Sequence, residues 1–264
     1  MTEFRKTGAP PQTDQEITVS NSAGTKQWHA PEEAPVAFVY NRRNYAVMLA
    51  SPSDMEDFAI GFSLTERIVD AADEIGAVEI HQSERGIELH MAIDPARLDR
   101  LDIRQQRRNM VGRAGCGVCG LENADVFFET LPRVSETKAE VSPEALERAL
   151  VEIETHQPLN LRTRSVHGAA WASFDGAVQL VREDIGRHNA LDKLLGALVR
   201  EGADMQAGFV LMSSRCSYEL IEKSARLGVR ALAAVSGPTA FAIRKAREAN
   251  IALYCRDGSG FVEV

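Results

Sequence analysis

The first clear apolar runs are Val36-Ala-Phe-Val-Tyr40 and Tyr45-Ala-Val-Met-Leu-Ala50. They flank the polar turn Asn41-Arg-Arg-Asn44 and predict a strand pair. Ser53 followed by Glu56 is a capping-box signature, and a helix is expected from there to about Ile68. Phe58, Phe62 and Thr65 fall at helical spacing, and Gly61 inside that stripe implies close packing against a neighbour. Val78-Glu-Ile80 and Ile87 to Ile93 predict a hairpin turned at Ser83-Glu-Arg-Gly86. His81 and His90 lie on it and read as ordinary strand side chains. Residues Met1 to Pro35 are polar, show little periodicity, and read as a loosely held arm.

The pattern changes after Thr130 to Glu140, a polar stretch with Pro132 where a domain boundary is expected. Ser142 is a good N-cap and Pro143 a good first helical residue. Leu146, Ala149, Leu150 and Ile153 form the buried stripe of the helix that follows. Strands are then expected at Val166–Phe174 and Ala177–Val181, joined by the hairpin turn Asp175-Gly176. Leu191, Leu194, Leu195, Leu198 and Val199 define a helix. Strand Gly208–Met212, helix Ser217–Leu227, strand Arg230–Val235, helix Pro238–Ala249 and strand Ile251–Cys255 complete the alternation. This order predicts an α/β fold with a mostly parallel sheet in its later part. The expected organisation is an arm over 1–35, a smaller α+β domain over 36–135, and an α/β cofactor-binding domain over 136–264.

Composition narrows the function classes. With a net charge of -8, a broad nucleic-acid surface is not expected. No apolar run reaches the roughly 18 residues of a membrane span, so no membrane insertion is expected. The N-terminus has no secretory pattern, and the apolar run after Arg42-Arg43 is too short and too internal for a twin-arginine signal. Four cysteines are too few for a disulfide framework, which suits a cytoplasmic protein with reduced thiols.

Two of those cysteines sit in Gly112-Arg-Ala-Gly-Cys-Gly-Val-Cys-Gly120, where four glycines fall within nine residues. A glycine in a regular element costs about 0.5–1 kcal/mol relative to alanine, so this stretch reads as a mobile loop. It presents Cys116 and Cys119. Arginines 97, 100, 104, 107, 108 and 113 run toward it against Asp99 and Asp102, a local positive field that would favour a thiolate.

Open α/β sheets bind ligands where strands end and helices begin. Three such junctions occur here: Asp184-Ile-Gly-Arg-His-Asn189, Ser213-Ser-Arg-Cys-Ser217 and Ser236-Gly-Pro-Thr239. Free N–H groups beside Arg187 and Arg215 suit a phosphate-bearing ligand. The last strand runs out into Tyr254-Cys-Arg-Asp-Gly-Ser259, where an aromatic ring could stack on a planar group and Arg256 could pair with phosphate. A structural zinc site lacks a second cysteine pair. A deaminase site lacks His-x-Glu and Pro-Cys-x-x-Cys. What the residues leave open is sulfur carriage as a persulfide, a redox dithiol, or a nucleotide-binding chaperone without sulfur transfer.

Taken together, Gly115-Cys-Gly-Val-Cys-Gly120, Glu183 to Lys193 and Ser214-Arg-Cys-Ser-Tyr-Glu219 resemble the formate dehydrogenase accessory sulfurtransferase family, FdhD. The resemblance spans about Val36 to Gly258. It implies a sulfurtransferase that accepts sulfur from a cysteine desulfurase and passes it to the molybdenum bis(molybdopterin guanine dinucleotide) cofactor. That cofactor then serves formate dehydrogenase. The resemblance also implies a C-terminal domain folded in three layers like cytidine deaminase without its zinc site, and a homodimer. By the same resemblance the persulfide forms on Cys116 with Cys119 assisting, and Tyr254, Cys255, Arg256, Asp257, Gly258 and Ser259 bind the cofactor, with GDP as a fragment ligand. Arg187, His188, Ser214 and Arg215 join them from the junctions, and no metal ligand is expected.

Overall fold

The computed structural model describes residues 2–22, 24–98 and 129–264. Cys116, Cys119, the arginines from 100 to 113 and the strand expected at Val126–Phe128 lie outside the described residues.

The N-terminal sheet is built from β1 (Glu3–Thr7), β4 (Ala34–Tyr40), β5 (Arg43–Ala50), β6 (Ile75–Ser83) and β7 (Gly86–Ile93) in the order β1-β6-β7-β4-β5. Helix α1 (Met55–Thr65) covers one face. Phe38 lies stacked on Phe62 at 3.9 Å and edge-on to Phe58 at 5.0 Å, in a core with Tyr40, Ile60, Ile80 and Leu89. The capping box expected at Ser53 does not form. The helix starts at Met55 after Asp54, which adopts the left-handed conformation with no side-chain cap. The amide of Ser53 instead donates to the Ser51 carbonyl.

The arm expected over 1–35 is corrected by three strands. β1 pairs in parallel with β6, and Phe4 packs on the core beneath. β2 (Asp14–Asn21) and β3 (Gly24–Pro31) form a separate antiparallel pair. Their alternation is invisible to a polarity pattern because both faces are largely exposed. Docking comes through Asp14, which accepts from Arg162 at 2.8 Å and from His29 at 2.8 Å. Arg162 holds the Asp14 carboxyl down at about 2.

The second sheet takes β8 (His167–Ser173), β9 (Val178–Asp184), β10 (Gly208–Arg215), β11 (Ala231–Ser236), β12 (Ala252–Arg256) and β13 (Phe261–Glu263). Their order is β13-β12-β11-β10-β8-β9, with β10, β11 and β12 parallel and the outer pairs antiparallel. Helix α2 (Pro143–Thr155) lies on one face, capped by Ser142 Oγ accepting from Ala145 N as the sequence predicts. The short α3 (Pro158–Thr163) follows it. Helices α4 (Arg187–Glu201), α5 (Tyr218–Arg226) and α6 (Ala240–Ala249) cover the other face. The chain is therefore mixed α/β, and this later part is a helix–sheet–helix sandwich.

The two sheets meet where α1 crosses α4. A Cβ on Gly61 would overlap the Asp192 carbonyl, and one on Gly196 would overlap that of Asp57. Only glycine allows two helix backbones so close. Buried ions surround the crossing. Asp57 binds Arg182 at 2.7 Å and also Arg200. Asp192 accepts from Lys223 at 2.8 Å and from Thr65 at 2.7 Å. Lys193 and Asp184, both wholly buried, pair at 2.7 Å.

Candidate functional site

Three parallel strands deliver their carboxyl ends to one edge of the second sheet. The antiparallel neighbours add the start of β8 and the end of β9 to the same edge. His167, Asp184, Arg187, His188, Ser213 to Ser217, Ser236 to Thr239 and the end of β12 therefore converge.

Asp184 organises the start of α4. Its carboxylate accepts from Gly186 N at 2.8 Å, Asn189 Nδ2 at 3.0 Å and Ser51 N at 3.0 Å, besides Lys193. Lys193 also donates to the Ser51 carbonyl at 2.9 Å, and Asn189 to that of Leu49 at 2.9 Å. The end of β5 is thus clipped to the beginning of α4. Glu183 accepts from Leu159 N and Asn160 N at 2.9 and 2.7 Å, fixing α3, while burial pushes its carboxyl up. Most of the stretch from Glu183 to Lys193 is architecture, and Arg187 and His188 are what it presents.

Arg187 has a buried Nε with no hydrogen-bond partner among the described residues. His188 Nε2 lies 2.7 Å from Glu219 Oε2 and 3.3 Å from Ser217 Oγ. Ser217 is the N-cap residue of α5, yet its hydroxyl makes no capping bond and turns to the imidazole instead. Beside them His167 is half-buried, and burial, then the charge of Arg187, push its pKa down. The helix starts of α4 and α5 have no side-chain cap, whereas α6 is capped by Thr239 Oγ1 accepting from Ala242 N at 3.1 Å. Two uncapped N-termini and a cation with spare donor capacity suit an anionic, phosphate-bearing group.

Ser214 is buried and donates to the Arg215 carbonyl, and Arg215 is exposed. Cys216 is buried within electrostatic reach of Cys255 and Arg187, and burial pushes its thiol up to about 12. It is a core thiol, not a nucleophile at neutral pH. The final segment divides by strand alternation. Cys255 shares the Leu253 side of β12, toward α4, α5 and α6, while Tyr254 turns into the core against α2. Its hydroxyl accepts from Val141 N at 3.1 Å. The expectation that the Tyr254 ring stacks on a ligand is corrected, because that ring is packing. Arg256 is exposed on the α2 side, 3.5 Å from Glu147. Asp257 accepts from the amide and hydroxyl of Ser259 at 2.9 and 2.7 Å, and Gly258 at φ 101 turns the chain. Among the described residues, no group of three His, Cys, Asp or Glu side chains is placed to hold a metal ion.

A family model for FdhD/NarQ matches residues 31–260. The chain belongs to the FdhD/NarQ family. Relatives described as sulfur carrier protein FdhD agree with that. The one from Xanthomonas euvesicatoria pv. vesicatoria (strain 85-10) is 46% identical over 237 residues, covering 89% of this chain and 83% of that protein. The one from Bordetella petrii is 47% identical over 231 residues, covering 88% and 82%. A crystal structure of a protein described as a formate dehydrogenase accessory protein from Desulfotalea psychrophila superposes with a TM-score of 0.70 at 21% identity, covering 96% of both chains. That likeness concerns the fold alone.

Sequence reasoning overlooked two residues at this edge, His167 and Glu219. Nothing within the expected strand Val166–Phe174 sets His167 apart. Glu219 stood in a quoted motif, but only the placement of α4 beside α5 brings it to His188.

Proposed function

We propose that this chain is a sulfur carrier that receives sulfur from a cysteine desulfurase as a persulfide on Cys116, with Cys119 assisting. It passes the sulfur to the bis(guanine dinucleotide) form of the molybdenum cofactor for formate dehydrogenase. Relatives named sulfur carrier protein FdhD, 46–47% identical over most of the chain, support the sulfur-carrying part. The observation that carries the docking part is the carboxyl edge of the second sheet, where no described residue satisfies Arg187 Nε and two helix starts lack side-chain caps. Arg187, His188, Ser214, Arg215 and the segment from Cys255 to Ser259 would hold the cofactor as substrate, with GDP as a fragment, while Tyr254 supports that segment from the core. A homodimer is part of the reading, and a redox dithiol is its competitor.

Peptide mass spectrometry after incubation with a desulfurase and cysteine tests it. The expected result is one added sulfur on the Cys116 peptide, absent in Cys116→Ala. Undiminished sulfur in that variant would remove Cys116 as acceptor. A disulfide between Cys116 and Cys119 with no added sulfur would favour the redox reading.

A further inference from the structure

We infer that Phe241, flanked by Tyr218 and Arg244, is the platform on which this edge stacks the planar purine base of a nucleotide. The inference deepens the docking part of the reading above and rests on it. Tyr218 is the first residue of α5 and Phe241 the second of α6, so both rings stand at helix starts on the carboxyl edge of the second sheet. The amide of Thr239 donates to the Cys216 carbonyl at 3.0 Å, which ties the start of α6 to the chain just past β10. The two rings lie stacked, 4.7 Å between centroids and 22° between planes. Arg244, a turn further along α6, holds its guanidinium over the Phe241 ring at 5.4 Å. Ser217 and Glu219, on either side of Tyr218 in the chain, contact His188. The stack therefore borders the place where no described residue satisfies Arg187 Nε and two helix starts lack side-chain caps.

The three side chains are held differently. Tyr218 is buried, and its hydroxyl donates to Glu222, which pairs in turn with Arg226. That ring is fixed. Phe241 is half-buried, and the apolar core of described residues beneath α4, α5 and α6 includes neither ring. Arg244 is exposed. Among the described residues it makes no hydrogen bond or ion pair, and the Phe241 ring is its partner. It can swing aside at little cost, admit a flat heterocycle against Phe241, and close over it. The base then lies between an aromatic face and a guanidinium plane, the two surfaces on which unpaired bases commonly stack. Arg187 and the helix starts take the phosphates of the same ligand. Tyr254, the aromatic residue the sequence suggested for stacking, is turned into the core, and Phe241 supplies a ring at the same edge.

Calorimetry on the full chain separates the base from the phosphates, because GDP carries both and pyrophosphate carries the phosphates alone. The wild type should bind GDP about tenfold more tightly than pyrophosphate, within the range for one base on an aromatic ring. Phe241→Ala should lose about tenfold in GDP affinity and leave pyrophosphate affinity unchanged. Arg244→Ala should weaken GDP in the same selective way, to a smaller degree. Phe241→Trp keeps a flat ring in place, so it should bind GDP at least as well as the wild type. Its indole emission, less that of the wild type, should be quenched by GDP and not by pyrophosphate. That variant carries the test where Phe241→Ala does not fold. Equal wild-type affinity for GDP and pyrophosphate overturns the inference and leaves the anion-binding edge standing. So does a Phe241→Ala variant that keeps its GDP affinity or loses both affinities equally, or a Phe241→Trp emission that GDP leaves unchanged. A wild-type chain that binds neither GDP nor pyrophosphate overturns the docking part of the reading and this inference with it.

Discussion

Lys193 and Arg187 lie on α4, less than two turns apart, and their surroundings differ in kind. Lys193 is wholly buried, and its ammonium is matched by Asp184 and the Ser51 carbonyl. Arg187 sits at the helix start with a guanidinium nitrogen unmatched among the described residues. The first cation has all its hydrogen bonds within the fold and serves to fix position. The second keeps a donor that no described residue satisfies. Every buried ion at the crossing of α1 and α4 belongs to the first kind. Arg187 at the sheet edge belongs to the second. A shared motif can thus hold two jobs, and charge alone does not tell them apart, whereas the state of the partners does.

The crossing of α1 and α4 is where a single substitution should do most damage. Gly196→Leu should cost about 3 kcal/mol or more, since the new side chain meets the Asp57 carbonyl with no room to relax. Thermal unfolding would show it as loss of the cooperative transition, and a stable variant would mean the helices part easily. Lys193→Met should cost about 3–5 kcal/mol by leaving Asp184 buried and unpaired. Adding Asp184→Asn should recover part of that loss, and chemical denaturation of the two variants and the double variant tests the pairing. Arg187→Ala should do the reverse of Lys193→Met, leaving the unfolding midpoint nearly unchanged while weakening GDP binding by about 1–3 kcal/mol, as for hydrogen bonds to charged groups. Calorimetry showing wild-type affinity would move Arg187 out of the binding edge.

The smallest effect concerns the β2–β3 hairpin. The Asp14 carboxyl is held at about 2, below its ordinary range near 3.9. A depressed acid stabilises above its unfolded pKa and loses that contribution as pH falls toward the folded value. Amide exchange in β2 and β3 should therefore quicken as pH drops from about 4 toward 2, after correction for intrinsic exchange. Asp14→Asn should remove that acid-dependent part.

Much of the second sheet was legible, because buried parallel strands and amphipathic helices impose distinct apolar periods. Ser142 as a cap and Asp175-Gly176 as a turn were legible for the same local reason. The first three strands were not, since a strand exposed on both faces carries no alternation and is held by backbone pairing or by a single ion such as Asp14. Within the site, Arg187 and His188 could be found as residues at a strand-to-helix junction. Tyr254 misled because its aromatic character suits packing as well as stacking, and only its register against α2 decides. Glu219 needed the third dimension outright.

The glycine crossing also constrains how the protein can be made. A chain divided between its two sheets would leave one fragment with a bare helix groove around Gly61 and Asp57 without Arg182 and Arg200. The other would carry Lys223, Asp192 and Lys193 partly stripped of cover. Neither fragment should express well alone, whereas both placed in one cell should find each other through this seam. The edge that presents Arg187 and His188 takes its shape from that reunion, because Ser51 and Leu49 come from one fragment and α4 from the other.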